Sequence, residues 1–139
     1  MSLFWKNWLT VWAVFVTLFG LILAGGGWSA TDGPTRLILQ MLGGTTFPGD
    51  DRTFRISVGL MGAVTFGWGL TALAVVRYVA EDPATRRVLL GPVTMALIAW
   101  CVLDSSLSIL NGFALNAVSN VLILSGWVAG VTLSKPSAS

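Results

Sequence analysis

The chain has 139 residues, of which 55% are hydrophobic and 10% charged, with a formal net charge of +2 and no histidine. A soluble domain carries about 25% charged residues, so this composition belongs in a bilayer. The eight basic and six acidic residues are too few and too dispersed for a nucleic-acid surface, and without histidine the commonest ligand of zinc, haem and iron is missing.

Hydropathy predicts an all-α protein, a four-helix transmembrane bundle forming a single integral membrane domain over residues 1–139. Its spans fall at about 8–24, 56–79, 88–110 and 113–133. None of these runs alternates as a barrel strand would. Lys6, an apolar core and Ala24-Gly25-Gly26-Gly27 also fit a signal peptide. The core from Trp8 to Ala24 is longer than the roughly 7–15 residues of such leaders, so a retained helix is expected. Trp5, Trp8 and Trp28 suit interface anchors, with Trp12 one turn into the span.

Residues 28–53 form the one sizeable segment outside the spans. Pro34 suits the first turn of a short helix capped by Asp32 or Gly33. Leu37, Ile38, Met41 and Leu42 share one face, Arg36 and Gln40 another, and Gly43-Gly44 ends the run. This pattern predicts a short helix between the first two spans, lying in the interface or over the mouth of the bundle. Residues 45–51 read as a turn around Pro48-Gly49, and Asp50 or Asp51 as the cap of the second span.

The second span carries Arg55 near its start, then Gly59, Gly62, Gly67 and Gly69, with Trp68 near the middle and Arg77-Tyr78 at the far interface. Glycines at this density let helices approach closely, and Gly59-x-x-x-Ala63 is one candidate packing motif. A tight connector, residues 80–87, leads through Pro83 to Arg86 and Arg87 at the start of the third span. Pro92 should then sit in that helix's first turn or bend it slightly. Leu97, Trp100, Asp104, Ser108 and Asn111 recur at three- and four-residue spacing and form one stripe. The span also holds Cys101, the only cysteine, which excludes an intrachain disulfide.

Asn111-Gly112 is a helix C-cap pair, so the third and fourth spans are antiparallel neighbours. Asn116, Asn120 and Trp127 lie along one face of the fourth. Gly126-x-x-x-Gly130 is a second small-residue motif, suited to packing on another span or a second copy.

The chemistry concentrates in an intramembrane polar cluster of Arg55, Asp104, Ser108, Asn111, Asn116 and Asn120. A carboxylate within a hydrophobic span is costly and should face protein, a cavity or a partner. Arg55 enters from the same side as Asp104, so a contact between the two, direct or through one water, is expected. That pair is compatible with a purely structural bond, a headgroup or pigment site, a proton relay, or a contact with a partner protein. Asp104 is also the one residue that suits an intramembrane acid or base; no metal site, cofactor motif or nucleophile triad accompanies it. Trp68, Trp100 and Trp127 could line an apolar groove or simply pack the core.

The four-span plan resembles small DoxX-like membrane proteins. Asp51-Arg52-Thr53-Phe54-Arg55, followed by Gly59 and Gly62, is also similar to the ergosterol-biosynthesis scaffold family, whose four helices are thought to tether enzymes. That resemblance implies an accessory or scaffold role and assigns no site residue. The expectation is a non-catalytic accessory or assembly subunit of a membrane complex. The alternative is a binding module or small intramembrane enzyme for a lipid-like hydrophobic molecule. The expected partners are the bilayer, other membrane subunits or a second copy, and a hydrophobic small molecule under the alternative. The basic residues Lys6, Arg77, Arg86, Arg87 and Lys135 against Arg36, Arg52 and Arg55 predict both termini cytoplasmic, in a bacterial inner membrane.

Overall fold

The computed structural model describes residues 1–43, 48, 51–79 and 83–134, with residues 79, 83, 84, 86 and 87 described by their backbone alone. The turn at residues 45–47 and 49–50, Asp50 as a cap, the connector acids Glu81 and Asp82, and Lys135 lie outside the described residues, as do the side chains of Arg86 and Arg87. Five helices follow in order: α1 (Leu3–Gly25), α2 (Gly33–Met41), α3 (Arg52–Val79), α4 (Pro83–Leu110) and α5 (Ala114–Leu133). The four long ones are long and apolar enough to cross a membrane, and α2 is the short helix expected between the first two.

The bundle is built as two pairs. α1 and α3 touch backbone to backbone along most of their length, because α3 offers glycine where α1 crosses it. A side chain at Gly62 would strike the backbone of Ala24, and one at Gly69 the backbone of Thr17; reciprocally, one at Gly20 of α1 would strike Phe66. In lipid, helix association relies on such close packing rather than on a hydrophobic driving force. Gly59 adjoins Gly27 in the same seam, but Ala63 is exposed, so the expected Gly59-x-x-x-Ala63 motif gives way to Gly62 and Gly69.

α4 and α5 form the second pair, a helical hairpin. Gly112 has φ +84°, and the Phe113 and Gly112 amides bond the carbonyls of Ser108 and Ile109 at 2.8 and 3.2 Å. This is a Schellman closure, which needs a left-handed residue and so selects glycine. α4 begins at Pro83, so Pro92 lies in the helix interior rather than in its first turn.

The two pairs are fastened at the end holding the start of α1 and the end of α5. Leu9, Val76 and Trp127 are fully buried there, and the Trp12 and Trp127 rings lie 5.0 Å apart. Each indole N–H finds an acceptor: Trp8 on the Gly126 carbonyl at 2.8 Å, Trp12 on the Ile123 carbonyl at 2.8 Å, and Trp127 on Thr94 Oγ1 at 2.9 Å. An unpaired donor in hydrocarbon is expensive, so these bonds fix the register of α1 on α5 and of α5 on α4. A side chain at Gly130 would collide with Leu9, and one at Gly126 would press on Trp12. The second glycine motif is thus filled from inside the chain.

Candidate functional site

Between the two helix pairs lies a half-open cavity of about 790 Å³, which runs from Trp8 and Gly126 at the fastened end to α2 at the other. Its floor is aromatic: Trp12 comes from α1, Trp68 from α3 and Trp100 from α4, with the Trp68 and Trp100 rings 5.1 Å apart. Its walls are aliphatic and aromatic side chains of all five helices, among them Phe19, Val58, Met61 and Ile123. Trp127 is not part of it. The two alternatives for Trp68, Trp100 and Trp127, groove or core, therefore divide: the first two line the cavity, and the third is core, held against Trp12 and Thr94.

α2 straps the mouth. Thr35 is fully buried and donates to the Ile22 carbonyl at 2.7 Å, tying α2 to α1. Beyond it Ile38, Leu39 and Leu42 turn into the cavity. At the far end of the strap, Gly43 has φ +111°, and a side chain there would come within 3.3 Å of the Gly112 carbonyl in the α4–α5 turn. The strap thus crosses from one helix pair to the other. Its inward face is Thr35, Ile38, Leu39 and Leu42; Leu37 and Met41, expected on that face, are 58% and 67% exposed.

The start of α2 is held by charge. Asp32 takes two hydrogen bonds from Arg36, each 2.8 Å, and one from Arg55 Nη2 at 3.0 Å. With its carboxylate engaged in this way, Asp32 stands at the N-cap without a side-chain bond to the helix amides. The Arg36 guanidinium first, then that of Arg55, holds the Asp32 carboxyl below its ordinary 3.8, against the opposing effect of burial. The capping carboxylate of α3 is Asp51, whose Oδ1 receives the amides of Thr53 and Phe54 at 2.8 and 3.2 Å.

Arg55 is accordingly not the direct ion-pair partner of Asp104. Among the described residues no basic side chain comes within 4.0 Å of the Asp104 carboxylate. The expectation rested on a shared leaflet, but the loop before α2 supplies an acid beside Arg55, while Asp104 stands on α4 in a different wall of the cavity. Asp104 is instead held by amides. Asn116 Nδ2 donates to its Oδ2 at 3.0 Å and to Ser108 Oγ at 2.8 Å. Asn120 Nδ2 donates to the same Oδ2 and to Ser105 Oγ at 3.3 Å. Asp104, Ser108, Asn116 and Asn120 all line the cavity. Asn111 lines its rim but is exposed, and its amide bonds its own helix at the Leu107 carbonyl, 2.7 Å away. It finishes α4 rather than joining the cluster.

The stripe on α4 and the asparagine pair on α5 were visible as helical spacing. Asp32, Thr35 and Leu39 were missed as site residues, although Thr35, Ile38, Leu39 and Leu42 carry the i, i+3, i+4, i+7 signal of one face. No protein-family model, curated protein or solved structure matches the chain.

Proposed function

We propose that the chain is a membrane-embedded binding module for a lipid-like molecule, which lies in the cavity with its polar end at Asp104, Asn116 and Asn120. The carrying observation is the cavity itself. At about 790 Å³ it falls in the size range of small-molecule sites, and it combines an apolar wall with a few converging polar groups. A bundle held together by packing alone would bring α4 and α5 onto α1 and α3 along their whole length. Here the tryptophans fasten one end, and the strap spans the other. An accessory or scaffold role draws less support, because Gly126 and Gly130 are seats for Trp8, Leu9 and Trp12 of the same chain.

The orientation that accompanies this reading puts both termini in the cytoplasm of a bacterial cell, with α2 and the cavity mouth on the outer side of the inner membrane. Its support is the bias of basic residues, Lys6, Arg77, Arg86, Arg87 and Lys135 against Arg36, Arg52 and Arg55. Native mass spectrometry of the chain extracted from its own membranes in mild detergent tests the function. A single bound molecule per chain, retained after the bulk lipid is stripped, is the expected result. A chain that is bare, or that carries only a graded distribution of membrane lipids, argues against it.

A further inference from the structure

We propose that the molecule held in the cavity carries a protonated primary amine on a long apolar body, with Asp104 as its counter-ion. This rests on the ligand-binding reading of the cavity and adds the chemistry of the ligand's head. The first support is the direction of the hydrogen bonds. Asn116 and Asn120 both turn their amide nitrogens toward the Asp104 carboxylate, which accepts from each. Asn116 Nδ2 gives its two hydrogens to Asp104 and Ser108, and Asn120 Nδ2 gives its two to Asp104 and Ser105. Both amides have then no N–H left to offer.

What remains on the carboxylate and the two amides is a set of acceptors, beside the Ser105 and Ser108 hydroxyls, which each also carry one O–H. Asp104 Oδ1 and the side-chain oxygens of Asn116 and Asn120 receive no hydrogen bond among the described residues. No fully buried side-chain oxygen or nitrogen there is without a partner, so these three oxygens are not sealed from their surroundings, and their residues line the cavity. Amide geometry puts both asparagine oxygens within about 5 Å of the bonded carboxylate oxygen. Three acceptors around one negative charge match an ammonium group, which has three N–H donors and one positive charge. A carboxylate or phosphate head would bring further acceptors and a second negative charge.

Charge separates the amine from a neutral alcohol. Asp104 has no basic side chain within 4.0 Å among the described residues, and the guanidiniums of Arg36 and Arg55 both bind Asp32. A carboxylate without a cation in an apolar span is costly, and a cationic ligand offsets its charge where a neutral hydroxyl adds only a hydrogen bond. Trp100, one helical turn from Asp104, lines the same cavity.

The test uses the full chain in phosphatidylcholine nanodiscs at pH 7, titrated with hexadecylamine, hexadecan-1-ol and hexadecanoate. The readout is the emission of the cavity tryptophans. Hexadecylamine is protonated at this pH, like lysine. The expected result is a saturable response to the amine at least about tenfold tighter than to the alcohol, the usual scale of one hydrogen bond to a charged group. Asp104→Asn should abolish the preference while leaving the alcohol response in place, and Asp51→Asn, which removes an acid outside the cavity, should change neither. Equal saturable binding of all three probes would overturn the amine inference and leave the cavity reading standing. No saturable response to any probe would overturn both. The same emission change with sodium chloride alone would also overturn the inference, by assigning the three oxygens to an inorganic cation. The wild-type comparison of amine and alcohol needs no variant, so it decides the matter even if Asp104→Asn does not fold.

Discussion

Replacing Asn120 by leucine should uncouple α5 from Asp104, and the structure sets the size of the effect. Asn120 is 3% exposed and gives both amide hydrogens to α4, one to the Asp104 carboxylate and one to Ser105. Hydrogen bonds to charged groups contribute about 1.5–3 kcal/mol in soluble proteins. Interhelical bonds in membrane proteins average about 0.6 and reach about 1.7 kcal/mol. A buried bond to a charge belongs at the top of the membrane range, so a coupling of about 1.5 kcal/mol is expected between the two positions. The assay is a double-mutant cycle of Asp104→Leu and Asn120→Leu, read by detergent-driven unfolding of the purified chain followed by tryptophan emission. The double variant should be about 1.5 kcal/mol more stable than the sum of the single losses implies. A companion cycle of Asp104→Leu with Arg55→Leu should be additive within about 0.5 kcal/mol, since Arg55 is held at Asp32. Additivity in the first cycle, or equal coupling in the second, would refute this account of the cluster.

Gly62→Ala should destabilise the bundle by about 1–3 kcal/mol, because its methyl group meets the Ala24 backbone. Gly67→Ala, with nothing within 4 Å, should be neutral or stabilise α3 by up to about 1 kcal/mol; thermal unfolding of the two variants checks the contrast. Asp32 has its pKa lowered in the folded chain, so its contribution to anchoring α2 is complete above 3.8 and is lost as pH falls through the lower folded value. A spin label at the exposed Gln40 should therefore show unchanged mobility from neutral pH down to about 5 and loosen only below 3.8; loosening between pH 7 and 5 would contradict the sign of that shift. With Cys101 replaced by alanine, a cysteine introduced at Ser29 should be modified by an impermeant reagent applied from outside the cell and one at Ser137 should not; the opposite pattern would reverse the orientation.

The four spans, their order and the short helix between the first two follow from hydropathy, because in a bilayer length and apolarity alone determine what can cross. Asp51 at the start of α3 and Gly112 between α4 and α5 followed equally from local chemistry. What could not be read locally was partner choice across the bundle. Asp32 lies 23 residues from Arg55 in the chain, yet it is brought to the guanidinium by the turn before α2. Trp68, Trp100 and Trp127 look alike in sequence, and only the crossing of α1 on α5 puts Trp127 in the core and the other two on the cavity. The glycines of α5 left another span and a second copy equally open for the same reason, since spacing reveals a face but not its occupant. The cavity itself comes from where the two helix pairs are fastened, and that is a property of Trp8 and Trp12 meeting α5 carbonyls that no residue pattern announces.

The most direct test of the ligand-binding account is quenching of tryptophan emission by a dibrominated long-chain alcohol in nanodiscs, comparing the wild type with Thr65→Phe and Ser106→Phe. Thr65 lines the cavity and Ser106 is on the outer face of α4. The account predicts saturable quenching at one molecule per chain, lost in Thr65→Phe and preserved in Ser106→Phe. Quenching that rises linearly with probe and is the same in all three proteins would contradict it.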